Sequence, residues 1–350
     1  MDVSNDVITN LRRTQYTQPK LIFAKIASVL EAFPDTDGSY ASVDTNLFYD
    51  GDKKMQYYAG ILNSYMANFL YAGMFGALRM RDGDFQYQAP QLRLLPIPEA
   101  DTGTEQSADI DDTVNKLLDR NHQRELLLEI WSEESELLSD ETRSLVSTLS
   151  SDKEYRQEGR RNLAWSSGVT FYPDANDDRL EDEHPDFFIT SPSTEILAIF
   201  GLDDQIETKL YEIEFRSQEL KDHVFASIEK TVFRTRKRIE SLKDILEKVE
   251  VPVVRRDSAE NTPNIISAVE ERFREEADSE YSDCEIISSI AALESEIQRL
   301  EVELNSHVLA DYGVSEEKVP NVLNDVNVRE SEMERIITAY DEMDVDSEDD

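Results

Sequence analysis

Asp186 followed by Glu207-x-Lys209 mimics the Asp…Glu-x-Lys set that holds a metal in many nucleases. The surrounding spacing argues against that chemistry. Ile206, Leu210, Ile213, Leu220 and Val224 step as heptads, which predicts a helix, and on a helix positions i and i+2 point apart. In so acidic a chain the set is read as chance. The four histidines, at 122, 184, 223 and 307, are too scattered for a metal cluster. The single Cys284 excludes an intrachain disulfide and a cysteine-rich zinc site. No Gly-rich phosphate loop and no G-x-S-x-G elbow is present. No catalytic or metal-ligating residue and no cofactor is therefore expected in this chain. What remains are cations: Lys20, Lys25, Lys53, Lys54, Arg79 and Arg81 near the start, and a second cluster of Lys230, Arg234 and Arg238 flanked by Arg236 and Lys237. The second cluster reads either as a phosphate grip or as a pairing surface for acids such as those at 133–136.

The charge balance explains why the first group stands out. The 350 residues carry 36 Lys+Arg against 75 Asp+Glu, a net charge of -39, and only 13 of the cations are lysines. Acid spread along the chain with few lysines is how a protein stays hydrated in concentrated salt, where screening removes most of the self-repulsion. Residues 1–98 escape this pattern, with nine basic side chains against ten acidic ones, while the remainder holds 27 against 65. A surface that approaches phosphate cannot carry a dense negative field. A segment that is merely more buried would show the same relief. No run of apolar residues is long enough to cross a membrane and no signal peptide opens the chain, so a cytoplasmic protein is expected.

Several elements would have to position these cations. LIFAKIA (21–27) suits a strand, FPDTDGSY (33–40) is turn chemistry, and 41–50 is a second strand. Residues 55–75 space Tyr58, Ile61, Leu62, Tyr65, Met66, Phe69 and Leu70 as one amphipathic helix. Residues 79–101 read as a turn and an extended stretch closed by Pro96 and Pro98. A low-complexity joint (99–112) leads into helical sequence (113–150), and 151–194 reads as an irregular polar insertion. The expected fold class is α+β: a small mixed domain at 1–100, a helical segment and insertion at 101–195, then a mostly helical region. In that region a long heptad helix spans 196–250, and a second stripe follows from Ile286 through Ile290, Leu293, Ile297, Leu300 and Leu304 within 264–340. The two stripes suggest a helical hairpin or a partner-binding coiled coil. The acidic residues 341–350 are expected to be disordered.

One stretch carries a resemblance. Pro19-Lys20-Leu21, then Gly60-Ile61-Leu62-Asn63-Ser64, then Leu94-Leu95-Pro96-Ile97-Pro98 resembles the Taq-type C-terminal specificity domain of type IIG restriction–modification and adenine-specific DNA methyltransferases. In that family a strand opens the domain, a helix packs behind the DNA-reading face, and a strand with the L..LPIP pattern closes it. SHVLADYGVSEEKVPNVL (306–323) resembles, more loosely, a helix–turn element that follows the recognition domain in such enzymes. The likeness covers about a third of the chain. The family's methyltransferase domain should precede the first strand, yet eighteen residues precede Pro19 and no Pro-Pro-Tyr or Pro-Pro-Phe occurs.

The resemblance implies a specificity subunit, or a C-terminal fragment, of a restriction–modification or phage-defence system. Double-stranded DNA and a catalytic methyltransferase subunit would be its partners, with S-adenosylmethionine bound by the catalytic subunit. Loops around 34–44 and 79–88 would read base edges. Lys20, Lys25, Lys53, Lys54, Arg79 and Arg81 would touch the DNA backbone. Pro19, Leu62, Asn63, Ser64, Pro96 and Pro98 would be structural: Asn63 satisfying a backbone group, the two prolines fixing an extended edge. On this expectation the chain alone is inactive as a methyltransferase. Two alternatives stay open: a protein-interaction module that self-associates or binds a helical partner through its heptads, and an inert remnant of a disrupted gene.

Overall fold

The computed structural model describes residues 17–40, 45–48, 54–80, 84–98, 105–134, 142–144, 166–171, 186–193, 195–203, 206–215, 250–252, 262–280 and 285–347, with single positions at 218, 221, 222, 224–226, 228 and 248. The fold is α+β. The chain divides into two units, one made of Met1–Leu118 with Arg299–Asp350 and the other of Asp119–Gln298.

In the first unit, β1 (Lys20–Ala24) is the centre of an antiparallel sheet between β3 (Ala32–Asp35) and β4 (Thr45–Phe48). Its alternation buries Leu21 and Phe23 while Ile22 and Ala24 stay half-buried. The sequence 33–40 is thus not all turn; its first three residues complete β3, and the turn follows. There Gly38 holds φ +67°, and a Cβ would come within 2.5 Å of the Thr17 carbonyl oxygen, so only glycine fits. A two-residue strand β2 (Ile26–Ala27) pairs with β5 (Phe85–Gln86).

The helix expected over 55–75 is two helices, α1 (Met55–Asn63) and α2 (Tyr65–Phe75). Ser64 separates them. Its backbone is extended, its hydroxyl donates to the Ile61 carbonyl oxygen at 2.7 Å, and the same oxygen accepts from the Ala67 amide at 3.2 Å. One serine therefore ends the first helix and caps the second. A 3-10 turn (Gly76–Leu78) follows. Residues 94–98 form no strand: α3 (Ala89–Leu92) is a short helix with Pro90 in its first turn, and 93–98 continue without sheet pairing.

α4 (Glu105–Glu134) begins inside the stretch expected to be a low-complexity joint, because Ile110 and Val114 are buried against the first unit's core. The same core takes Val302, Leu304, Val308 and Leu309 from α6 (Ile290–Asp311), Leu323 from α7 (Val319–Asp325), and Ile336 and Tyr340 from α8 (Glu330–Ser347). α8 runs to Ser347, so residues 341–347 are helical rather than disordered.

The second unit departs most from expectation. Residues 196–215 are not a heptad helix but two strands, β9 (Ile196–Asp203) and β10 (Ile206–Phe215). With β7 (Ser166–Phe171) and β8 (Asp186–Ser193) they form an antiparallel sheet of order β7-β10-β9-β8, where an irregular insertion was expected. Tyr211, Ile213 and Phe215 face the core and alternate with Glu212 and Glu214, a period of two that the apparent heptad masked. A further pair, β6 (Thr142–Ser144) with β11 (Glu250–Pro252), is antiparallel. The continuation of the first heptad stripe at 229–247 lies outside the described residues. The second stripe is helical from residue 290: Ile290, Leu293, Ile297, Leu300 and Leu304 are all buried in α6. α5 (Thr262–Glu280) adds Val269, Phe273 and Ala277 to the second core. Gln123 on α4 fastens the segment before α6, donating to the Glu285 carbonyl oxygen and accepting from the Ile287 amide, each at 3.2 Å.

Candidate nucleic-acid interface

The three resembling motifs lie together in the first unit, and each has a physical task. Asn63 bonds both backbone groups of Ala32, accepting from its amide at 2.7 Å and donating to its carbonyl oxygen at 2.8 Å, which ties α1 to the edge of β3. Asn68 does the same for the Leu30 amide at 2.8 Å. Leu62 is buried, Pro19 and Pro96 are exposed, and Pro98 is half-buried with its carbonyl oxygen 3.4 Å from the Tyr57 hydroxyl. The two prolines do not fix a strand edge, since no strand is there.

Residues 306–323 reach the same place from the other end of the chain. Asn305 accepts from the Tyr65 amide at 2.8 Å, at the break between α1 and α2. Tyr57 donates to Asp311 at 2.6 Å and Tyr65 to Glu332 at 2.6 Å. Burial, then the neighbouring carboxylate, pushes both phenols far above their ordinary range, so both remain donors.

The expected DNA-contacting cations separate into three groups. Lys20 is fully buried and bonds to Asp35, so it cannot reach phosphate; it is corrected from contact residue to structural ion pair. Asp35 also accepts from the amides of Ser39 at 2.9 Å and Tyr40 at 3.0 Å. Burial pushes its carboxyl up, and the bonds from Lys20, Tyr40 and Ser39 more than reverse that, holding it below the usual carboxylate range. Lys25 and Arg79 are exposed, and Lys54 is half-buried at the start of α1. Lys53, Arg81 and the cluster Lys230, Arg234, Arg236, Lys237 and Arg238 lie outside the described residues, as do 41–44 and 81–83 of the expected reading loops.

Around Lys25 and Arg79 the surface has a composition unlike the rest of the protein. Residues 7–30, 53–81 and 85–98 contain no Asp or Glu. Ile26, Val29, Met74, Leu78, Met80 and Leu94 are all exposed within them. The 3-10 turn touches β5, which pairs with β2, and the Arg79 guanidinium lies over the Phe85 ring of β5. Glu31 and Asp84 border this face. The acid-free runs were visible in the sequence; that apolar side chains would be left at the surface was not.

The dismissed Asp186, Glu207 and Lys209 set also changes footing. Glu207 and Lys209 lie on a strand, where i and i+2 share a face. Asp186 and Glu207 both stand opposite Leu202, separated by the width of β9, about 10 Å for two strand spacings. Lys209 is bound to Glu212 and lies 5.9 Å over the Phe200 ring. Among the described residues no group of His, Cys, Asp and Glu could hold a metal ion, and no helix is long and apolar enough to cross a membrane.

Comparison with protein families, with curated proteins and with solved structures found no match for this chain.

Proposed function

We propose that this chain recognises a DNA target for an adenine-N6 methyltransferase of the restriction–modification kind, with methyl transfer performed by a catalytic part outside these residues. The observation that carries the reading is the exposed pair of cations Lys25 and Arg79 in sequence runs of the first unit that hold no Asp or Glu, with Glu31 and Asp84 at their border. In a protein of net charge -39, three runs without a carboxylate surround Lys25 and Arg79. Nucleic-acid affinity rests largely on cation–phosphate contacts, which acids on the same face would oppose. The resemblance of residues 19–98 to the Taq-type specificity domain adds the target class. The coiled-coil alternative loses part of its support, since its first stripe, from Ile206 through Ile213, lies in strand β10.

The test is selection from a randomised duplex pool, with the retained DNA sequenced. Enrichment of a common sequence supports target recognition, and Lys25→Glu with Arg79→Glu should abolish retention and flatten the dependence on salt. Retention of no sequence above background would remove the proposal.

A further inference from the structure

Residues 73–80, at the end of α2 and through the 3-10 turn, are largely exposed. Seven of these eight residues are exposed, with Met74 at 46%, Leu78 at 54% and Met80 at 43%. A Cβ placed on Gly73 or Gly76 would meet nothing within 4 Å, so open space adjoins the end of α2. Yet the segment is firmly held. Arg79 donates its amide to the Gly76 carbonyl oxygen at 3.2 Å, and Met80 its amide to that of Asp84 at 2.8 Å. The Arg79 guanidinium sits 4.8 Å from the centre of the Phe85 ring. Phe85 in turn packs edge-on to Tyr71 at 5.4 Å and against Tyr87 at 6.1 Å, all three buried.

The backbone at Arg79 is extended, with φ -60° and ψ 135°. Leu78, the last residue of the 3-10 turn, and Met80 flank Arg79 in sequence, and both are exposed. Two exposed apolar side chains thus flank a cation that is held on an aromatic base, in a run of 29 residues (53–81) without a carboxylate.

That combination fits one occupant. Apolar tips beside the cations Arg79 and Lys25, with Glu31 and Asp84 only at the border, suit a polyanion whose apolar surface lies inside a stack of bases. Proteins that wedge Leu or Met between base steps gain a kinked duplex that meets more of their surface. Resting on the DNA-recognition reading above, we propose that Leu78 and Met80 form a wedge that enters the base stack of the target duplex. Part of the specificity is then read as the ease of unstacking, which favours pyrimidine–purine steps.

The experiment uses the full chain and duplexes of the retained sequence carrying 2-aminopurine at successive positions, whose fluorescence rises when a base loses its stacking neighbours. Wild type should raise the signal at one step. The double variant Leu78→Ala/Met80→Ala should lose that rise and bind about tenfold more weakly or worse, as expected when apolar side chains of this size are no longer buried. Both positions are exposed, and unchanged circular dichroism will confirm that the variant folds. Binding without a rise in fluorescence, or a rise that survives in the variant, overturns the wedge and leaves DNA recognition standing. A variant that binds DNA normally but no longer co-purifies with a protein bound by wild type assigns the face to that protein and overturns the wedge. No binding of any duplex overturns both proposals.

Discussion

Replacing Asp35 by Asn tests the interior of the first unit. Lys20 and Asp35 have side chains only 0% and 1% exposed, so neither charge is hydrated. Removing the carboxylate's charge leaves the ammonium buried without this counter-charge, a change that costs about 3–5 kcal/mol in buried pairs. For a unit of this size, about 2–4 °C of melting temperature accompanies each kcal/mol, so the expected loss is roughly 6–20 °C. Lys20→Met should cost less, because Asp35 keeps the amides of Ser39 and Tyr40, and those exposed residues admit water. The double change Lys20→Met/Asp35→Leu should cost less than the sum of the single changes.

Hydrogen exchange of peptides spanning 20–40, with thermal melts followed by circular dichroism, measures all three variants. The difference should persist in high salt, since a buried pair is screened far less than an exposed one such as Lys116–Asp112. The pH dependence has a definite sign. The folded carboxyl is held below its ordinary value, so its contribution is present above the unfolded value of about 3.9 and disappears as pH falls through the folded one. An Asp35→Asn protein within about 1 kcal/mol of wild type at neutral pH, well short of the cost of breaking a buried pair, would refute the reasoning.

Gly60→Ala should destabilise the same unit by about 1–3 kcal/mol, the usual cost of overpacking. A Cβ at that position would lie 2.8 Å from the Ile110 methyl and 2.9 Å from that of Val114; urea denaturation reads the change. Asp111 behaves oppositely to Asp35: burial holds its carboxyl above the ordinary value, only partly offset by the bond from the Tyr57 amide and by Lys54. Its ionisation therefore opposes folding at neutral pH, and the penalty fades as pH falls through the folded value. Asp111→Asn should raise the melting temperature near neutrality and lose that advantage in acid, as thermal melts across pH will report.

Two elements were legible from their apolar patterns: the run LIFAKIA marked β1, and the stripe from Ile290 to Leu304 marked α6. The errors have identifiable causes. Ile206, Leu210 and Ile213 fit a heptad by coincidence, while the stronger signal was the alternation of Tyr211, Ile213 and Phe215 with glutamates. Ser64 divides α1 from α2 through hydrogen bonds that no apolar pattern records. Residues 105–112 look like a linker by composition, yet Ile110 anchors them in the core.

The candidate site was less accessible. Nothing local in KLIFA indicates that Lys20 is buried, because its partner lies fifteen residues away on a neighbouring strand. Lys25 and Arg79 were found from charge. The apolar tips at Leu78 and Met80 look in sequence like the end of a buried helix, and only tertiary packing decides that they face outward.

The discontinuous core of the first unit sets an order for its birth on the ribosome. The strands and helices of residues 20–98 are made first, yet Val308, Leu309, Leu323 and Ile336, which close their core, follow only about 200 residues later. Roughly 220 residues separate Leu118 from the end of this closing set, a wait on the order of 10–45 s at ordinary translation speeds. Throughout that interval Tyr57 and Ile61 lack the cover and the Asp311 partner that the later residues supply. The nascent chain is therefore a natural client for holding chaperones, and ribosome stalling late in the message would leave the early residues as a sticky, unfinished intermediate.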